Sequence, residues 1–167
     1  APVDFMDFTI SENVYAGNAM NRRMQWQYAV LLQRDPHGHV DQAIGKNVAA
    51  GSPGLIAPNR LISKDFEEIT LDGVTMVFQN APDTEAPVQL NTYFPQFKAF
   101  WAAEVVTGTI HNIYTTRGAA VRNALNWSKV INEALYKFGG EAEVMFASHS
   151  WPRWGNARIQ EVLRTQR

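Results

Sequence analysis

Residues 66–79 read Phe66-Glu67-Glu68-Ile69-Thr70-Leu71-Asp72-Gly73-Val74-Thr75-Met76-Val77-Phe78-Gln79. Asp72-Gly73 stands between two runs rich in β-branched and aromatic residues. Such a dipeptide readily takes the two positive-φ positions of a tight hairpin turn, so the stretch predicts paired strands over 66–71 and 74–79. Downstream, strands are predicted over 88–94 and 99–103, with Pro95-Gln96 at the turn between them. A helix is predicted over 118–138, closed by Gly139-Gly140, then a buried strand over 143–147 and a last helix from Asn156. Upstream, Val14, Tyr15, Met20, Met24, Tyr28, Leu31 and Leu32 recur near helical spacing after Ser11. They predict a helix capped by Ser11 and ending near Arg34. Residues 35–58 are rich in Gly, Pro, His and Asn and read as a long irregular loop. Strands in the middle with helices at both ends predict a layered α/β or α+β architecture.

The chain has 167 residues, 46% of them hydrophobic and 19% charged, with a net charge of −1. That is the size of one domain with a buried core. The charge balance gives no electrostatic reason to expect nucleic-acid binding or a membrane-surface patch. No apolar run approaches the roughly 20 residues that span a bilayer. There is no cysteine, which excludes disulfides and thiolate ligands. Ala1-Pro2-Val3-Asp4-Phe5 has no features of a secretory leader, and both ends read as the interior of a longer chain.

Polar residues at strand ends carry the functional reading. Glu85 follows the strand 74–79, Glu104 ends the strand 99–103, and His149 ends the strand 143–147. Strand-end loops are where layered α/β proteins place their sites. Two carboxylates and an imidazole are acceptable zinc ligands. A Glu after a strand is also an ordinary solvated residue, and a His beside Trp151 an ordinary packed one. Separations of 19 and 45 residues make no local motif that would join them.

Three segments carry a more specific signal. They are Ser11-Glu12-Asn13-Val14-Tyr15-Ala16-Gly17-Asn18-Ala19-Met20, His111-Asn112-Ile113-Tyr114-Thr115-Thr116-Arg117-Gly118, and Ala147-Ser148-His149-Ser150-Trp151-Pro152-Arg153-Trp154-Gly155-Asn156. With Asp83-Thr84-Glu85-Ala86-Pro87 and Ala103-Glu104, the chain resembles the bacterial zinc-dependent alkyl sulfatases, typified by the SDS-hydrolysing enzymes of the metallo-β-lactamase superfamily. The resemblance implies an α/β fold, the C-terminal half of a metallo-β-lactamase-type αββα sandwich. Residues 1–167 would be a partial catalytic domain, and 156–167 the start of a following helix. The family's upstream His-x-His-x-Asp-His motif is absent. His37-Gly38-His39 has its first spacing, but Val40-Asp41-Gln42 departs from the rest.

The resemblance also implies a cofactor and roles. Two Zn²⁺ ions bind in the intact family enzyme, and this chain would supply only Glu85, Glu104 and His149 as metal ligands. Arg117 would bind the sulfate group, since a guanidinium presents paired donors to an anion. Its place before Gly118, read as a helix start, would add a favourable N-terminal field. His111 would be a general acid for the leaving group, or a structural hydrogen-bonding histidine. Asn112, Tyr114, Asn18 and Tyr15 would line the substrate site. Trp101, Trp151 and Trp154 could form an apolar path for an alkyl chain, or simply pack. The implied reaction is hydrolysis of an alkyl sulfate ester. The implied partners are the upstream half of the catalytic domain and a second copy in a homodimer, with no nucleic acid and no membrane span. The implied location is periplasmic or secreted. The alternative is a non-catalytic half-domain that binds an amphiphile or a partner chain. The two Glu residues and Arg117 argue against other hydrolases of the superfamily, such as a lactamase or thioesterase.

Overall fold

The computed structural model describes residues 1–42, 45, 46, 51, 52 and 54–167. They form two compact units: Ala1–Phe5, Arg60–Ile113 and Arg122–Arg167 in the first, Met6–Asn59 and Tyr114–Val121 in the second.

The first unit is a sheet covered by helices. Strands β1 (Phe66–Leu71) and β2 (Val74–Asn80) pair antiparallel with Leu71 opposite Val74. Asp72 and Gly73 take φ of 50° and 77°, as the turn chemistry requires. Strands β3 (Leu90–Phe94) and β4 (Ala99–Trp101) continue the meander. A single 3₁₀ turn over Pro95–Phe97 joins them, with Lys98 left-handed at φ 46°. β4 ends two residues earlier than predicted because Ala103 is left-handed at φ 46°, and β3 begins at Leu90, not at residue 88.

Helix α3 (Ala124–Lys137) then crosses over to β5 (Val144–Phe146), which lies parallel to β4. A parallel neighbour needs such a crossover. A short strand β6 (Arg153–Trp154), not predicted, pairs antiparallel with β5 before α4 (Asn156–Gln166). The sheet order is β1-β2-β3-β4-β5-β6. Trp127, Val130, Ile131, Ala134 and Leu135 of α3 join Ile159 and Leu163 of α4 in one buried cluster with Tyr93, Phe100 and Met145 of the sheet. Phe138, 2% exposed, stacks on Tyr93 with centroids 5.1 Å apart. The strands alternate, so Met76, Phe78, Trp101 and Phe146 point to the other face.

α3 begins at Ala124, not at Gly118 as predicted. Gly118 has φ 92°, which no right-handed helix contains. The cap is Asn123, whose side chain accepts the Asn126 amide at 3.0 Å. The helix closes near Gly139 as predicted, for a different reason than the left-handed cap expected. A Cβ at Gly139 would lie 2.5 Å from the Leu135 carbonyl oxygen.

In the second unit the single helix expected from Ser11 to Arg34 is broken. α1 (Phe5–Thr9) runs into one π-helical turn over Ile10–Tyr15, then α2 (Gly17–Gln27). Ser11 does not cap: its hydroxyl donates back to the Phe8 carbonyl at 3.0 Å. Ala29, at φ 54°, ends the helical path. Of the predicted 35–58 loop, residues 43, 44, 47–50 and 53 lie outside the described residues. Among the described residues no helix is long and apolar enough to cross a membrane.

Candidate metal centre

β2 and β4 are each antiparallel to β3, and β4 is parallel to β5. All three therefore run the same way, and their C-terminal ends meet one edge of the sheet. Glu85 lies in the loop after β2, Glu104 in the loop after β4, and His149 in the loop after β5. The topology thus delivers to one edge three residues that stand far apart in the chain.

Ligand-capable atoms of Glu85, Glu104 and His111 all lie within 4.8 Å of one another. His111 Nε2 is 3.9 Å from Glu85 Oε1, and His149 Nε2 is 3.7 Å from Glu104 Oε2. Tetrahedral zinc with ligand bonds of about 2.0–2.2 Å holds its ligand atoms ~3.4 Å apart, so the cluster would have to contract to reach coordinating distances. The donor chemistry fits. Two carboxylates and an imidazole suit zinc, and either carboxylate has a second oxygen to offer a neighbouring ion. His111 Nδ1 lies 2.9 Å from the Asn112 carbonyl oxygen. A carbonyl only accepts, so Nδ1 carries the proton. In the neutral ring, Nε2 then presents its lone pair to the carboxylates, as a ligating histidine does.

Glu85 is held from several sides. Arg122 Nη2 donates to its Oε1 at 2.7 Å, Arg122 Nε to its main-chain carbonyl, and Gln89 Nε2 to its Oε2 at 3.1 Å. Arg122 Nη1 also donates to Asn112 Oδ1 at 2.8 Å. One buried guanidinium thus ties the Glu85 loop to Asn112. No local signal in the sequence marks Arg122, because it precedes a helix cap and its partners come from other segments. His111 packs against Trp127, centroids 5.4 Å apart. It also lines a cavity walled by Val105, Ile110, Ile113, Trp127 and Ile131.

Arg117, Tyr114, Tyr15 and Asn18 belong to the second unit. There the Arg117 amide donates to Gln27 Oε1 at 3.1 Å and Nη1 to the Tyr28 hydroxyl at 3.4 Å. Its buried Nε has no partner among the described residues. Arg117 stands in a loop and not at a helix start, so the expected helix field is removed. Asn18 lies in the first turn of α2, and Tyr15, 91% exposed, ends the π-helical turn. Trp101 stacks on Phe146, while Trp151 and Trp154 are largely exposed. His39 is buried in a turn of the second unit, and neither it nor His37 joins a metal-ligating cluster among the described residues.

Comparison with known proteins bears on this edge of the sheet. No family model matches the chain. An alkyl/aryl-sulfatase of Saccharomyces cerevisiae is 46% identical over 167 residues, all of this chain and 26% of that protein. A linear primary-alkylsulfatase of a Pseudomonas species is 42% identical over 167 residues, again all of this chain and 25% of that protein. A solved stereoselective inverting sec-alkylsulfatase from Pseudomonas superposes with a TM-score of 0.94 and 40% identity. It covers 99% of this chain, which spans 26% of the solved one. The chain is homologous to part of the alkyl/aryl-sulfatases. It spans about a quarter of the length of the sulfatases it matches. Its mixed α/β fold, a central sheet with flanking helices, is the C-terminal portion of the metallo-β-lactamase-type sandwich in those sulfatases. Its partial ligand group is consistent with part of a two-zinc site.

Proposed function

We propose that the chain supplies part of a two-zinc site that hydrolyses alkyl sulfate esters to alcohol and sulfate, within a larger enzyme. The observation that carries this reading is the convergence of Glu85, Glu104 and His111 within 4.8 Å in a homologue of the alkyl/aryl-sulfatases. Glu85, Glu104 and His149 are the proposed ligands. Zinc held there supplies Lewis acidity toward a water or an ester oxygen. Arg122 and Gln89 orient the Glu85 carboxylate. His111 is the proposed proton donor to the leaving alcohol, for which its Nε2 would take up a proton. A second reading, favoured by the same 4.8 Å grouping, makes His111 a ligand. Zinc analysis of His111→Asn separates the two: a proton donor's loss keeps the metal and lowers kcat, a ligand's loss releases metal.

Arg117 is the proposed sulfate-binding residue. Its fork geometry matches sulfate oxygens, and its buried, unpartnered Nε leaves a donor for an anion. Asn112, Tyr114, Asn18 and Tyr15 complete the proposed substrate-binding set. The cavity beside His111 is the proposed seat of the alkyl chain. Arg117→Lys is expected to raise KM for dodecyl sulfate about tenfold, the size of one lost charge-assisted hydrogen bond, with zinc content unchanged. By the same homology we infer a homodimer and a periplasmic or secreted location, testable by sedimentation and cell fractionation.

The deciding experiment is metal analysis and dodecyl sulfate hydrolysis, on the chain alone and mixed with the His-rich upstream segment of a sulfatase. Two zinc ions and activity only in the mixture are expected. No zinc and no activity in either would favour a half-domain that binds an amphiphile or a partner chain. The apolar residues on the sheet face away from α3 and α4 would then be its contact surface.

A further inference from the structure

The segments that carry Glu104 and His149 are joined at two points, one on each side of the pair. Before it, the Ser148 amide donates to the Ala103 carbonyl at 2.8 Å. After it, the Gly108 amide donates to Ser150 Oγ at 3.0 Å. Ala103 precedes Glu104 and Ser150 follows His149, and both are left-handed, at φ 46° and 78°. Left-handed residues other than glycine persist where surrounding contacts hold them, often at functional sites. The second contact leaves no room at Gly108. A Cβ there would meet Ser150 Oγ at 2.6 Å, Ser150 Cβ at 2.7 Å and Arg153 Nη2 at 2.8 Å.

We propose that Gly108 and Ser150 are positioning residues that set His149 against Glu104. Neither reaches a metal or a substrate. The absence of a side chain at Gly108 lets the His149 loop approach, and the Ser150 hydroxyl fixes how far it comes. The left-handed turn at Ser150 then aims the preceding imidazole at Glu104, 3.7 Å away. Groups that orient ligands from behind typically change metal affinity 10- to 100-fold when removed. The inference rests on the reading of Glu104 and His149 as ligands, and its test includes variants that address that reading alone.

The test uses the full chain mixed with the His-rich upstream segment of a sulfatase, the sample in which zinc is expected, with zinc and cobalt(II) as probes. It reads zinc affinity by chelator competition, the visible cobalt spectrum as a signature of ligand geometry, and the melting temperature. Ser150→Gly removes the hydroxyl and also relieves the left-handed backbone. Melting is expected to stay level or rise while zinc binds about tenfold more weakly and the cobalt spectrum changes. Gly108→Ala is expected to weaken zinc about 10- to 100-fold. The double variant Gly108→Ala/Ser150→Gly should recover to the level of Ser150→Gly alone, because two of the three obstructing atoms are gone. Wild-type zinc affinity and cobalt spectrum in Ser150→Gly and Gly108→Ala would overturn the proposal, provided Glu104→Gln and His149→Ala lose zinc. So would a double variant as weak as Gly108→Ala. Unchanged zinc binding in Glu104→Gln and His149→Ala would instead overturn the ligand reading itself.

Discussion

At Arg122 a guanidinium 6% exposed lies against a Glu85 carboxylate 13% exposed. Removing one partner of such a pair leaves a charge without compensation in a place water scarcely reaches. Arg122→Met is expected to cost about 3–5 kcal/mol in urea unfolding, and pairing it with Glu85→Gln should recover much of that. This pairing was not legible in the sequence, because its members stand 37 residues apart and no short motif links them. Glu85, Glu104 and His149 were legible as strand-end residues and through the family resemblance. His111 was legible as a chemical group, but its approach to both carboxylates needed the folded chain. Tyr93 offers a pH test. Burial, and then Glu141 beside it, push its phenol above the usual 10. The folded state therefore keeps a proton that the unfolded state releases first. The stabilisation is complete below the unfolded value and is lost as pH rises through the folded one. Spectroscopic titration should show one tyrosine ionising later than the rest, and Tyr93→Phe should remove that step.

Among the elements, α3 shows how a side chain overrides periodicity. The apolar spacing of residues 124–137 is that of a helix packed on a sheet, and it alone does not say where the helix starts. Gly118 at φ 92° breaks the path and the Asn123 side chain restarts it. Asn123→Ala is expected to cost about 1 kcal/mol, read in chemical denaturation, with fraying at the first turn of α3. The β1–β2 hairpin was readable to within one residue because Asp-Gly specifies its own turn. The two-residue β6 was not, since so short a strand has no period to read. Nor was the π-helical turn over Ile10–Tyr15, where the Ala16 amide bonds to the Ser11 carbonyl. One shifted hydrogen bond there divides what the hydrophobic pattern presents as a single helix.

For the whole molecule, the layered α/β architecture followed from strands in the middle and helices at the ends. The closure of one sheet face by α3 and α4 did not, because it depends on the β4–α3–β5 crossover. The other face carries Met76, Phe78 and Phe146, half-buried, and Trp101, exposed. An apolar surface of this kind favours association. Size-exclusion chromatography of the isolated chain is expected to show oligomers or loss of soluble protein. A compact monomer would count against that expectation. The common direction of β2, β4 and β5 has a further effect. Every ligand-bearing loop leaves one edge of the sheet, while the connections at the other edge are the Asp72-Gly73 turn, the Pro95–Phe97 turn, the approach to β5 after Gly140 and the step from β6 into α4 at Gly155. The chemistry and the seams of the chain are thus on opposite sides. New termini opened at Asp72-Gly73, or a reporter domain spliced there, would alter how the polypeptide is threaded and leave the proposed centre intact. That turn is therefore the natural place to cut, permute or tag this sequence.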